Sequence, residues 1–276
     1  MDNLIAVSTW SLHRTIGVSY HDSPVKGPQG EAKHSETQLA LLELPGALRK
    51  NGYSAMQLCH FHLPSRDAAF AEEFRAALRD ADVELLTVLI DEGDVTHPEH
   101  GEASVEWIAS WVETASQLGA GRARVIAGKQ AYSPEMMDLA VGRLKKIAET
   151  ANEVGVQLET ENWFDLLATP AAVNEMLDRM DGDLNLCADF GNWPRPLIYD
   201  TLPDIMHRAE TCHAKFEFLS ATELDEPHAE ACLQIAANAG YKGPFVLVNG
   251  GRGDCDWGAM DIQRRALKRF VPRGRD

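Results

Sequence analysis

Glu161, Asp189 and His213 stand out because their types and spacing suit a single chemistry. Each lies at or near the end of a short apolar run: VQLETE at 156–161, LNLCAD at 184–189 and TCHAKF at 211–216. Two carboxylates and one imidazole make an oxygen-rich donor set, which suits a divalent cation such as Mg2+, Mn2+ or Co2+. A cation held there stabilises an enediolate formed from a carbonyl and its neighbouring hydroxyl, while a positioned carboxylate removes the adjacent carbon-bound proton. Glu161 is the candidate for that base, as ligand and acid/base in one. Lys215 is the candidate for stabilising oxyanion charge.

Positioning such a set requires strands, because side chains on a strand alternate between two faces. If Glu161 points inward, so do Glu159 and Gln157, while Thr160, Leu158 and Val156 face outward. Asp189 takes Cys187 and Asn185 with it, and His213 takes Thr211 and Lys215. In each run the polar set shares one face and the apolar set the other, as in a barrel with a polar top. Five more runs complete the pattern, at 4–9, 54–59, 84–90, 122–127 and 244–249, with helical periodicity at 67–80, 103–118, 135–154 and 228–239. Gly52, Gly119, Gly155 and Gly240 follow helical segments, and Pro134 and Pro170 occupy expected first helical positions. Eight strands alternating with helices predict a single (β/α)8 barrel over residues 1–276, an α/β fold whose site lies at the C-terminal strand ends. No GxGxxG follows the first strand, which argues against a doubly wound sheet.

Other residues at the same ends are candidates for substrate contact. Trp10, Trp163 and Trp193 suit the apolar faces of sugars, although rim packing explains a strand-end Trp as well. His60 and His62 end strand 2, where a loop-structuring role is equally open, and Lys129 ends strand 4. Asp254 and Asp256, in GGRGDCDW, fit turn chemistry as readily as catalysis. Residues 14–36 carry three Gly, two Pro and two His without periodicity. They read as a long, unstructured β1–α1 loop over the catalytic face, a functional lid or an insertion.

Composition narrows the partners. Lys plus Arg is 26 and Asp plus Glu is 42, a net charge of −16, which disfavours nucleic acid and anionic membranes. No run approaches the ~18 apolar residues of a membrane span. Five scattered cysteines without CxxC spacing read as reduced thiols, and the acidic start lacks a secretory signal, so a cytoplasmic location is expected. A homo-oligomer stays open.

The motifs ENW at 161–163, DFGNW at 189–193, HAK at 213–215 and GYKGP at 240–244 make the chain resemble the xylose isomerase-like TIM-barrel superfamily. This is the sugar phosphate isomerase/epimerase group that also contains endonuclease IV. The resemblance implies that Glu161, Asp189 and His213 are three of four metal ligands, with Lys215 beside the metal shell or on the substrate. Asn192 falls where several members carry a substrate-binding His. The fourth ligand is a Glu in the epimerase branch, and Asn249 stands in its place here. An amide can bind metal or a substrate oxygen, but it cannot abstract a proton. The expected function is therefore isomerisation or epimerisation of a keto sugar or hydroxy-keto acid through an enediolate. A lyase or dehydratase acting on a keto-sugar, keto-inositol or keto-glycoside is the first alternative, since it needs one strong base. A non-catalytic sugar-binding barrel is the second.

Overall fold

The computed structural model of the chain describes residues 4–249 and 255–270. Eight parallel strands close into a barrel: β1 (Ile5–Ser8), β2 (Ala55–Cys59), β3 (Glu84–Leu89), β4 (Arg122–Arg124), β5 (Gln157–Glu161), β6 (Asn185–Asp189), β7 (Ala209–Ala214) and β8 (Phe245–Leu247). β1 pairs with both β8 and β2, which completes the ring. Every strand expected from the sequence is present, with β4 and β8 shorter than their apolar runs. The register sets the site: Asp189 pairs directly with His213 across β6 and β7, and Glu161 with Cys187 across β5 and β6.

The helices begin and end for local reasons. Ser133 Oγ accepts from the Met136 N–H at 3.2 Å, and Thr169 Oγ1 from the Ala172 N–H at 3.3 Å, with Pro134 and Pro170 in the first turns. The helix Pro134–Val154 buries Met137, Ala140, Val141, Leu144, Ile147, Ala148 and Ala151, a stripe at spacings of three and four packed on the sheet. It stops at Gly155, whose φ of 73° a side chain would disfavour. Among the described residues no helix is long and apolar enough to cross a membrane.

The segment 14–36 departs from the unstructured loop expected. A short helix, His13–Ile16, leads into an antiparallel hairpin of Val18–Tyr20 with Glu31–Lys33. Its order comes from distant partners that local periodicity does not reveal. Buried Asp256 accepts from Arg14 Nε (2.7 Å), the Thr15 N–H (2.8 Å) and Thr15 Oγ1 (2.9 Å). Trp107 and Trp111 both donate to Asp22. Asp256 is thus an anchor on the last helix, Asp256–Phe270. Asp254 lies outside the described residues.

Candidate metal and proton-transfer site

A cavity of about 450 Å3 opens at the C-terminal ends of the strands. Its lining includes Glu161, Asp189, His213, Lys215, Asn192 and Arg124 from the strand ends, together with Trp10, His13, His21, His34 and His60. Asp189 is 1% exposed, His213 3% and Glu161 5%, so their charges interact with little water between them.

His213 is oriented from beneath. Gln57 Nε2 donates to Thr87 Oγ1 at 3.3 Å, which turns Gln57 Oε1 toward His213 Nε2 at 2.8 Å. A carbonyl oxygen only accepts, so Nε2 carries hydrogen and Nδ1 faces the carboxylates. Nδ1 stands 3.5 Å from Glu161 Oε1 and 3.5 Å from Asp189 Oδ2. Ligands held at ~2.1 Å from one cation are separated by about 3.0–3.4 Å in octahedral or tetrahedral shells, close to the distance from Nδ1 to each carboxylate oxygen. Among the described residues the group whose ligand atoms all lie within 4.8 Å of one another is Glu161, Cys187 and His213; Asp189 stands beside it through His213.

The electrostatics ask for positive charge at this point. Burial opposes charging His213, yet Cys187, Glu161 and Asp189 draw its pKa well above the ordinary imidazole value. Burial likewise opposes ionising Glu161, but His213 and Arg124 outweigh it and hold the carboxyl well below the usual range. Asp189 shifts upward: burial dominates, with Lys215 pulling down and Glu161 pushing up. A proton on His213 or a dication among the three donors answers the same field.

Hydrogen bonds fix the remaining groups. Asn192 Nδ2 donates to Glu161 Oε1, and Asn192 Oδ1 accepts from Lys215 Nζ at 2.9 Å, linking the carboxylate and the lysine. Asn162 braces the end of β6, accepting from the Asp189 N–H at 2.7 Å and donating to its carbonyl at 3.2 Å. A Cβ at Gly191 would stand 2.9 Å from Lys215 Cδ, so glycine lets that stem run along the wall. Arg124 places Nε 3.2 Å from Glu161 Oε2 and pairs also with Asp91. Burial disfavours its charge, but those two carboxylates keep it firmly protonated.

Of the residues singled out in the sequence, Glu161, Asp189, His213, Lys215, Asn192, Trp10, Trp163 and His60 meet at this cavity. Trp163 lies under the Arg124 guanidinium at 5.4 Å, and Trp10 forms the rim at 42% exposure. Four others do not form its walls. Lys129 turns to Glu92 at 3.6 Å, and Trp193 is buried with Nε1 donating to the Leu167 carbonyl. His62 sits behind His13, and Asn249 is buried with its N–H donated to Ser11 Oγ, leaving Val248 to face the cavity. Sequence reading missed Gln57, Arg124 and the loop histidines. Gln57 and Arg124 carried a usable signal, a polar residue inside an apolar run; His21 and His34 carried only their place in the segment over the strand ends, and His13 none.

A family model described as "Xylose isomerase-like TIM barrel" matches residues 45–249. No curated protein matches the chain. Among solved structures, a xylose isomerase-like TIM-barrel protein from Mycobacterium smegmatis, in complex with magnesium, superimposes with a TM-score of 0.69 at 17% identity, covering 98% of this chain and 97% of that one. The "probable 3-DHS dehydratase AsbF" of Bacillus anthracis gives 0.67 at 15% identity over 98% and 100%. A D-allulose 3-epimerase from Methylomonas sp., in complex with D-allulose, gives 0.66 at 12% identity over 96% and 98%. The closed eight-stranded barrel and the matched model together show that the chain belongs to the xylose isomerase-like TIM-barrel family.

Proposed function

We propose that this protein is a divalent-metal-dependent sugar isomerase or epimerase acting on an unphosphorylated keto sugar. The carrying observation is the triangle of Glu161, Asp189 and His213, with the His213 tautomer set by Gln57 so that Nδ1 faces both carboxylates. A cation bound there supplies positive charge to the developing enediolate. Glu161 takes the proton from the carbon beside the carbonyl, and the C–H pair becomes the C=C bond of the enediolate. Lys215, held by Asn192, lies beside the oxyanion. Trp163 and Trp10 suit the ring faces of a sugar. The neighbours named for D-allulose and magnesium support this class.

The substrate charge follows from the cations at the cavity. Arg124 is ion-paired to Asp91 and Glu161, with its buried Nη1 left without a hydrogen-bond partner, and Lys215 donates to Asn192; Asp91, Glu92, Glu161 and Asp189 supply negative charge around them. No built phosphate cradle appears among the described residues.

A panel of ketopentoses, ketohexoses and keto-glycosides in D2O, with Mn2+ added and then chelated, tests the reading. Metal-dependent deuterium uptake beside the carbonyl is the expected result. Turnover that persists fully after chelation would sink it. Asn249 in place of a second carboxylate favours a dehydratase as the second reading, because elimination needs one strong base. Loss of a β-substituent from the deuterated carbon's neighbour would mark that outcome.

A further inference from the structure

The cavity is lined also by residues that the mechanism so far leaves idle. His13 lines it, together with His21 and His34 from the hairpin. The His13 and His34 rings lie 4.4 Å apart, and Ser19 Oγ contacts both His34 Nε2 (2.7 Å) and His21 Nε2 (3.2 Å). His13 is the one tied into the barrel. Its Nδ1 is 3.1 Å from His62 Nε2, and His62 Nδ1 is 2.9 Å from Thr9 Oγ1, which itself accepts from the Cys59 N–H. With hydrogen on both Nδ1 atoms, His13 donates to His62 and His62 to Thr9. His13 Nε2 is then left with a lone pair. This is the arrangement of an acid/base imidazole oriented by a buried partner, with His62 as the positioning residue.

We propose that His13 is the second proton-transfer residue, facing Glu161 across the substrate and filling the role for which Asn249 has no acid/base group. The inference rests on the keto-sugar reading above. In one direction Glu161 takes the proton from one face of the carbon. The C–H pair forms the C=C bond, and the carbonyl pair moves to oxygen. As the carbonyl re-forms, the carbon's new bond takes a proton from the His13 imidazolium on the opposite face, leaving His13 neutral. In the reverse direction neutral His13 removes the proton and protonated Glu161 returns one. Exchange with water resets both groups.

The surroundings of His13 draw its pKa below the ordinary imidazole value, which favours the neutral, proton-accepting form. Burial, His34 and His21 disfavour its charge, Asp256 favours it, and His62 meets its Nδ1. Arg14, next in the chain, is paired to Asp256.

The test is His13→Gln on the metal-loaded enzyme in D2O, with melting temperature as the folding check. Expected is retained deuterium uptake into a substrate whose reactive hydrogen faces Glu161, with conversion to the opposite epimer at least ~100-fold slower. Conversion at the wild-type rate would overturn the proposal. His62→Gln is the second variant, expected to move the pH profile of kcat/KM while leaving that uptake in place. An unchanged profile together with unchanged conversion would also count against the relay. If wild type itself neither exchanges nor converts any keto sugar, the functional reading has failed, and that result is distinct from a working enzyme indifferent to His13.

Discussion

Gln57 holds His213 by a single acceptor, so removing it releases the imidazole without touching the donors themselves. Partners of metal-bound histidines typically contribute 10–100-fold in affinity. Gln57→Leu is expected to weaken Mn2+ binding by about that factor while the fold persists, as titration calorimetry against wild type would show. His213→Ala should abolish stoichiometric metal, and equal metal content in both proteins would remove the triangle from consideration. Asn249 is a further case at this scale. It is 1% exposed and adjoins Val248 of the cavity lining, so Asn249→Glu buries a further carboxylate just behind that lining. Like-charge repulsion raises the proton affinity of its neighbours, and a cation relieves it. The variant should bind Mn2+ more tightly and lose native turnover, if Asn249 holds a substrate oxygen or a metal-bound water. Unchanged turnover at saturating Mn2+ would take Asn249 out of the mechanism. At this scale the sequence was readable where strand parity applied: Glu161, Asp189, His213 and Lys215 sit at the cavity. It misled for Lys129 and Trp193, because β4 ends at Arg124 and the turns beyond the strands are not periodic.

Elements explain both what was legible and what was not. The β/α alternation was legible because each strand is a buried run bounded by glycine or proline punctuation, a purely local signal. The hairpin was not, since strands of three residues carry no usable period and their order depends on Asp256 over two hundred residues away. Asp256→Ala therefore should free residues 13–36 without unfolding the barrel. Losing a buried carboxylate with three donors costs about 2–4 kcal/mol. Hydrogen exchange confined to this segment should accelerate, and uniform acceleration across the barrel would contradict a local anchor. A second element-scale consequence lies beneath the site. Glu159 on β5 is fully buried, 3.2 Å from Arg122 Nε and bonded to Thr211. Burial raises its pKa from 4.5 to about 7, against the pull of Arg122. A raised carboxyl contributes most to stability below its unfolded value and loses that contribution as pH rises through the folded one. Glu159→Gln should thus gain on wild type as pH rises from about 4.5 to about 7, by on the order of 3 kcal/mol in all. Urea unfolding at several pH values reads this directly, and a gap that does not change with pH would refute it.

The molecule as a whole carries a net charge of −16, and the cavity at the strand ends is lined by the carboxylates of Asp91, Glu92, Glu161 and Asp189. That field acts on approach, before any contact is made. Fields of this sign slow an anionic ligand and leave a neutral one unaffected, and salt screens them within about 8 Å at 0.15 M. The proposed neutral keto sugar should therefore show a kcat/KM that is nearly flat with ionic strength. Its phosphate ester should react more slowly at low salt, for two separable reasons: repulsion at long range and the lack of an uncommitted cation at Arg124 or Lys215. Raising KCl removes the first and leaves the second. The expected pattern is a phosphate ester whose kcat/KM climbs with salt yet stays below that of the neutral sugar throughout. An ester that outperforms the neutral sugar at low salt would mean that a cation inside the cavity is released on binding. It would also move the substrate class from free sugars to sugar phosphates.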